Sequence, residues 1–345
     1  MFRMISLAAA GLGLIAFTIL VIQVNERPLA KFAGHKAGID DVFASPDGKT
    51  LVSMSADHTL KVWDVPTGAE RASFPGTTAV FSADSTTLAW TDGTTIRLWS
   101  VASGKEMSRF GGRQGQFCSL AFSPDTKSLA SGCEDGTIKL WNVVSGREQA
   151  TWLHGGGRIY SVRPLQFSPD GKTLASGTYA CVPGGAIKLW DVARHTARAT
   201  LRVPSCDVTS FCFSPDGKLL AAGGDPATLW DIATGRQTAT LDTPEEGVEG
   251  LVFSSDGRTL AAVPRCGPEL YRWDVHTGKT IATWKRSCPR PRPRVFRYIW
   301  DAFPCIFEEH DFIPRSVCFT AGGVMTLGFD NRDETTIEMW RASGL

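Results

Sequence analysis

The chain has 345 residues, with 36 Lys and Arg against 35 Asp and Glu. So even a balance excludes a global pull toward nucleic acid or acidic lipid, and 43% hydrophobic residues excludes a chain too polar to fold. The 35 glycines run along the whole length, as many tight turns between short strands require.

In chain order, the first element is Met4–Val24, which carries no charged side chain and is flanked by Arg3 and by Asn25, Glu26 and Arg27. As a helix, such a run crosses the roughly 30 Å hydrocarbon core of a bilayer. A cleaved signal peptide is the rival reading, and it calls for an apolar core of about 7–15 residues ending in a small-x-small site. The longer run here and its bulky end, Leu20-Val21-Ile22-Gln23-Val24, favour an uncleaved signal-anchor. The flanks disagree on orientation. Arg3 and the amino terminus favour a domain outside the cytoplasm, while Arg27, Lys31 and Lys36 argue the reverse. Residues 1–25 are therefore read as a transmembrane anchor and 26–345 as the domain that it carries.

That domain is a repeat. A strand ending in Trp recurs at Trp63, Trp99, Trp141, Trp190, Trp230, Trp273 and Trp340. Most spacings lie near the roughly 40–45 residues of a four-stranded unit. A turn of the type Ser-Pro-Asp-Gly precedes each Trp, starting at Ser45, Ser82, Ser123, Ser168, Ser214, Ser254 and Thr320. Pro presets φ, Asp bonds the backbone two residues on, and Gly takes the left-handed corner. A Thr/Ser-Gly turn follows most of the tryptophans, although the fourth repeat has Arg194-His195 instead. An outer strand such as Ala72-Ser73-Phe74 or Ala150-Thr151-Trp152 completes each unit.

These coincident turns and tryptophans resemble the WD-repeat β-propeller family, from Glu26 to Leu345. The resemblance implies an all-β fold, a seven-bladed β-propeller of four-stranded antiparallel blades, and the apolar run Met4–Val24 is expected to precede it as one N-terminal hydrophobic helix. Leu29-Ala30-Lys31-Phe32 has the pattern of the outer strand that the last blade lacks, so the N-terminal strand is expected to complete that blade and close the ring. Two repeats depart from the pattern, the second around Trp90-Thr91-Asp92-Gly93 and the seventh at Arg341.

His35, Ser53, Asp57 and Trp63 invite a hydrolase reading, since Ser, His and Asp are the parts of a nucleophilic triad. The family resemblance implies a buried hydrogen-bond chain of the same four residues instead, and no nucleophile elbow accompanies them. Gly155-Gly156-Gly157-Arg158 lacks the Lys-Ser/Thr of a phosphate loop and reads as a turn. Cys305 to Asp311 holds metal-ligand types without paired spacing. No catalytic residue, metal site, cofactor or small-molecule substrate is expected.

The cysteines divide by position. Cys118, Cys133, Cys212 and Cys318 fall in inner strands and read as core thiols. Cys181, Cys206, Cys266, Cys288 and Cys305 fall in loops that leave one face. Cys181 and Cys206 flank Trp190 much as Cys266 and Cys288 flank Trp273, which suggests disulfides Cys181–Cys206 and Cys266–Cys288. Cys288–Cys305 is the competing pairing, and five unrelated surface thiols the alternative to any. A pairing implies an oxidising compartment.

The long gap before Trp340 holds an insertion at 286–314. Its first half is basic, Pro-spaced and aromatic, with Arg290, Arg292, Arg294, Phe296, Tyr298 and Trp300. Arg and aromatic side chains dominate protein interfaces, and a stiff Pro-rich segment presents them well. The competing reading folds this loop over its own domain, its basic and acidic halves neutralising each other. Taken together, the expected function is a non-catalytic interaction scaffold on a membrane, its domain outside the cytoplasm, presenting top-face loops to a protein or peptide partner. A membrane-tethered sensor or small-ligand-binding propeller is the alternative. Nucleic acid is not an expected partner, because no basic face exists beyond the insertion.

Overall fold

The Ser-Pro-Asp-Gly turns are self-contained hydrogen-bonded units that fix the register of the strands they join. In the first, Ser45 Oγ donates to Asp47 Oδ1 (2.6 Å) and accepts from Thr50 N–H (3.0 Å), while Asp47 Oδ1 accepts from Lys49 N–H. Gly48 takes the left-handed corner at φ 69°. The same bonds recur from Ser82, Ser123, Ser168, Ser214 and Ser254. In two of these turns a non-glycine fills the corner, Ser85 (φ 62°) and Thr126 (φ 61°). Ser85 also accepts Asp47 N–H (3.0 Å), which ties its turn to the preceding one.

The computed structural model describes residues 30–111, 115–154, 161–179, 185–204, 208, 210–243, 247–254, 256–264, 269–285, 314–319, 324–329 and 336–341. The turn at Thr320 and the segment Met4–Val24 lie outside them. Among the described residues, no helix is long and apolar enough to cross a membrane.

The strands form all-antiparallel four-stranded sheets, six of them in simple chain order. The first holds β2 (Ile39–Ala44), β3 (Thr50–Ser55), β4 (Thr59–Asp64) and β5 (Glu70–Pro75). The second holds β6 (Thr78–Phe81), β7 (Thr87–Thr91), β8 (Thr95–Ser100) and β9 (Lys105–Gly111). The third holds β10 (Phe117–Phe122), β11 (Ser128–Cys133), β12 (Thr137–Asn142) and β13 (Glu148–Leu153). The fourth holds β14 (Ser161–Phe167), β15 (Thr173–Tyr179), β16 (Ala186–Asp191) and β17 (Thr196–Arg202). The fifth holds β18 (Phe211–Phe213), β19 (Leu219–Ala222), β20 (Thr228–Asp231) and β21 (Arg236–Thr240). The sixth holds β22 (Val248–Phe253), β23 (Thr259–Pro264), β24 (Glu269–Asp274) and β25 (Thr280–Lys285).

A further sheet is composite. Its strands β26 (Pro314–Phe319), β27 (Val324–Phe329) and β28 (Thr336–Arg341) are joined by β1 (Ala30–Ala33), in the order β1-β28-β27-β26. Ala30 lies opposite Met339 and Ala33 opposite Thr336. The first and last described strands thus share one ladder, and β2 lies against β26 and β27. Pro314, the last residue of the expected insertion, opens β26. Proline is tolerated as the first residue of a strand, where its missing N–H removes little of the ladder.

The core lies between neighbouring sheets. Among the described residues, a large residue in or just after the outer strand packs on the Trp of the next sheet. Phe32 meets Trp63 with ring centroids 5.7 Å apart, Phe74 meets Trp99 at 5.9 Å, Phe110 meets Trp141 at 5.2 Å and Trp152 meets Trp190 at 5.6 Å. Leu201 and Leu241 share clusters with Trp230 and Trp273. Each such aromatic pair adds about 0.5–1.5 kcal/mol beyond the area it buries. A register shift falls immediately before the Trp in all six sheets, from Val62/Trp63 to Arg272/Trp273. This bulge sets two outer-strand residues against one Trp and re-aims their side chains. Where the third and fourth sheets approach most closely, Gly132 is required. A Cβ there would lie 2.5 Å from the Val162 carbonyl oxygen, which already accepts from Ser119 Oγ at 2.7 Å.

Candidate functional site

In the first sheet, the loop from β1 to β2 and the turn from β3 to β4 emerge at the same end. Ser55 Oγ donates to the carbonyls of Ala37 and Gly38, and Lys36 N–H donates to Asp57 Oδ2 (2.8 Å). Beneath them runs a hydrogen-bond chain. Trp63 Nε1–H donates to Ser53 Oγ (2.8 Å), Ser53 Oγ meets His35 Nε2 (2.8 Å), and His35 Nδ1 meets Asp57 Oδ2 (3.2 Å). Asp57 Oδ1 accepts from the Thr59 hydroxyl (2.5 Å) and Thr59 N–H (2.9 Å). One tautomer satisfies the whole chain, with Nδ1–H donating to Asp57 and Nε2 accepting the Ser53 proton.

The atom order, Ser Oγ to Nε2 and Nδ1 to Asp, is that of a nucleophilic triad. Access is not. Ser53 is 0% exposed and its oxygen already takes the Trp63 N–H. Burial lowers the His35 pKa against the raising effect of Asp57, which keeps the ring neutral at pH 7. Burial pushes the Asp57 carboxyl up, but hydrogen bonds from the Thr59 hydroxyl, Lys36 N–H and Thr59 N–H outweigh it and hold the group well below the carboxylate range. A fully bonded, enclosed chain of this kind rigidifies what it joins, here the β1–β2 loop, β3 and β4.

The other sheets keep the Trp and vary its partner. Trp141 donates to Ser131 (2.9 Å) and Trp190 to Ser176 (2.8 Å), each the counterpart of Ser53. In the fifth sheet Ala222 stands at that place, and Trp230 turns to Thr228 Oγ1 (2.9 Å). Trp273 donates to the Asp242 carbonyl (3.0 Å). In the second sheet Trp90 occupies the serine's place beside Trp99 and stacks on Phe74 at 4.3 Å. Its buried Nε1–H has no partner among the described residues. Trp340 ends β28. His195 takes φ 56° where other sheets have the glycine of the Thr/Ser-Gly turn.

Several polar partners were not anticipated from the sequence. Lys61 Nζ binds Glu70 Oε2 (2.7 Å), Arg97 Nη1 binds Glu106 Oε2 (3.2 Å) and Lys139 Nζ binds Glu148 Oε2 (2.5 Å). Each cation stands two residues before its Trp, and Lys61 and Lys139 lie 6.0 and 5.6 Å from the ring centroids. The signal was present as a Lys/Arg-x-Trp followed by an outer-strand Glu, but the bulge that brings them together is not legible in spacing. His154 was passed over as well. It is buried, with Nε2 2.9 Å from the Ser176 carbonyl, and burial holds its pKa down at about 4.

Cys118, Cys133 and Cys212 are buried, and burial pushes the Cys133 thiol up to about 11 and the Cys212 thiol up to about 12, so both stay protonated and unreactive. Cys318 lies in β26. Cys181, Cys206, Cys266, Cys288 and Cys305 lie outside the described residues, as do Arg290, Arg292, Arg294, Phe296, Tyr298 and Trp300. No group of three His, Cys, Asp or Glu side chains suited to a metal occurs among the described residues.

Four stretches match the WD domain, G-beta repeat: residues 26–64, 104–142, 146–191 and 196–229. Each match covers an outer strand and the three inner strands of the following sheet, so the sequence repeat straddles two sheets and ties them together. The strands β6, β7 and β8 of the second sheet, where Trp90 stands in the serine's place, fall outside them. The chain is 39% identical over 59 residues to WD repeat-containing protein 36 of Homo sapiens, a match that covers 17% of this chain and 7% of that protein. It is 40% identical over 40 residues to Ribosome assembly protein 4 of Saccharomyces cerevisiae, covering 12% of this chain and 8% of that protein. The chain therefore carries WD40 repeats in four places, on an all-β architecture consistent with a WD-repeat propeller, and spans less than a tenth of either relative.

Proposed function

We propose that this protein is a non-catalytic interaction scaffold: a seven-bladed propeller held at a membrane by Met4–Val24, offering its loop face to a protein or peptide partner outside the cytoplasm. The observation that supports it best is the way the first sheet consumes its own chemistry. Ser53, His35 and Asp57 are engaged with one another and with Trp63, leaving the exposed surface to carry function. WD40 repeats typically serve protein contacts, and the insertion at 286–314 supplies Arg290, Arg292, Arg294, Phe296, Tyr298 and Trp300 for one. Cys181–Cys206 and Cys266–Cys288 are the pairings that an oxidising location allows.

The experiment uses the full chain in its native membranes, with a photo-crosslinking residue at position 296. A companion variant has the five other insertion residues replaced by serine. Carbonate extraction leaves the wild type in the membrane pellet and releases a chain lacking residues 4–24. The wild-type background gives discrete adducts that the serine variant loses. Adducts unchanged by the five substitutions would remove the insertion from the recognition surface.

A further inference from the structure

The first three sheets each neutralise the cation beside their Trp with an outer-strand glutamate; the fourth does not. Lys188 stands two residues before Trp190, as Lys61, Arg97 and Lys139 stand before their tryptophans, with Nζ 5.5 Å from the Trp190 ring centroid. Opposite Trp190, where Glu70, Glu106 and Glu148 oppose Trp63, Trp99 and Trp141, is Ala197. No acidic side chain among the described residues pairs with Lys188. The fifth and sixth sheets have no cation at this place, only Thr228 and Tyr271. The fourth is thus distinguished among the six by keeping the cation and losing the acid.

A second cation shares this face. Arg202 lies opposite Ala186, and Lys188 lies opposite Thr200, so Arg202 and Lys188 are diagonal neighbours on one side of the β16–β17 ladder. Such neighbours sit roughly 7–8 Å apart, within reach of one ligand for side chains this long. Arg202, Thr200 and Ala197 are exposed, and Lys188 is half-buried. His154 registers the same imbalance. His35 feels Asp57 and Glu70 against Lys61, whereas among the described residues Lys188 is the one charge that shifts His154, and it lowers it.

We propose that this face of the fourth sheet, Lys188 with Arg202, receives a carboxylate from an acidic segment of a partner polypeptide. The partner completes in trans the ion pair that the first three sheets complete within the chain. Lys188 is suited to the task because its stem already lies along Trp190, so little side-chain freedom is lost on binding. The Ala197 methyl stands where a glutamate side chain stands in the first three sheets. This surface lies on the β16–β17 ladder and does not depend on the insertion at 286–314.

The probe is a fluorescein-labelled hexaglutamate peptide, titrated against the purified full chain in detergent and followed by anisotropy. Wild type binds, and added salt weakens it. Ala197→Glu, which restores the internal partner, weakens binding at least tenfold. Gln237→Glu adds the same charge at the matching place of the fifth sheet and changes affinity less than twofold. Circular dichroism and thermal melts show that both variants are folded. No binding by wild type, an unaffected Ala197→Glu variant, or an equal loss in Gln237→Glu would each overturn the proposal.

Discussion

The first and fourth sheets share a strand plan, an inner serine, a third-strand Trp and a histidine, yet they treat those groups differently. In the first, Ser53 joins Trp63 to His35, Asp57 and Thr59, and Lys61 is answered by Glu70. In the fourth, Ser176 takes the Trp190 N–H, His154 reaches only the Ser176 carbonyl, and Lys188 has no acidic partner among the described residues. Packing is therefore the conserved quantity of this repeat, because the outer-strand residue must fill the space beside the next Trp. Polar satisfaction is local and varies from sheet to sheet. Where the fourth sheet drops the acid opposite Trp190, Lys188 is left without an acidic partner among the described residues.

The largest way to separate the two sheets is to remove their serines. Ser53→Ala strips a partner from the Trp63 N–H and from His35 in a site closed to water. Each orphaned group costs about 1–3 kcal/mol, so roughly 4 kcal/mol is expected. Ser176→Ala orphans the Trp190 N–H alone and is expected to cost about 1–2 kcal/mol. Urea unfolding of the two variants measures the difference, and equal losses would erase the distinction between the sheets.

Acid sharpens the comparison next. The His154 pKa is about 4 in the folded protein against an ordinary 6.5, so between those values the unfolded chain binds more protons. Stability is full above about pH 6.5 and drains as pH falls toward 4, by roughly 3 kcal/mol in total. His35 is depressed as well and acts in the same direction. The Asp57 contribution persists to lower pH, because its carboxylate must be protonated before it is lost. Thermal melts from pH 7 to 4.5 should fall steadily for wild type and less steeply for His154→Gln. Identical slopes would mean that His154 titrates as an exposed residue does.

The strand plan was legible because it rests on local chemistry. A Ser-Pro-Asp-Gly turn forms wherever those four residues occur, and a Trp between alternating apolar residues marks a buried strand. The His35, Ser53, Asp57 and Trp63 set was legible only through its resemblance to a known repeat, since these residues lie far apart in the chain. The Lys61–Glu70 and Lys139–Glu148 pairs were missed for a physical reason. A bulge beside each Trp decides which outer-strand residue opposes it, and a bulge depends on pairing between strands rather than on either sequence alone. Trp90 marked the second repeat as aberrant, but not that its ring would replace a serine and stack on Phe74.

The claim at the centre of this account is that the Ser53–His35–Asp57 chain is a closed structural lock. Hydrogen exchange of the Trp63 indole N–H, followed by NMR on protein labelled at tryptophan nitrogen, tests it most directly. The account predicts exchange in wild type only through global opening, at a rate set by the full unfolding free energy, and fast exchange in Ser53→Ala. Fast exchange at Trp63 in otherwise fully protected wild type would show that the site opens locally, as a reactive centre must, and would contradict it.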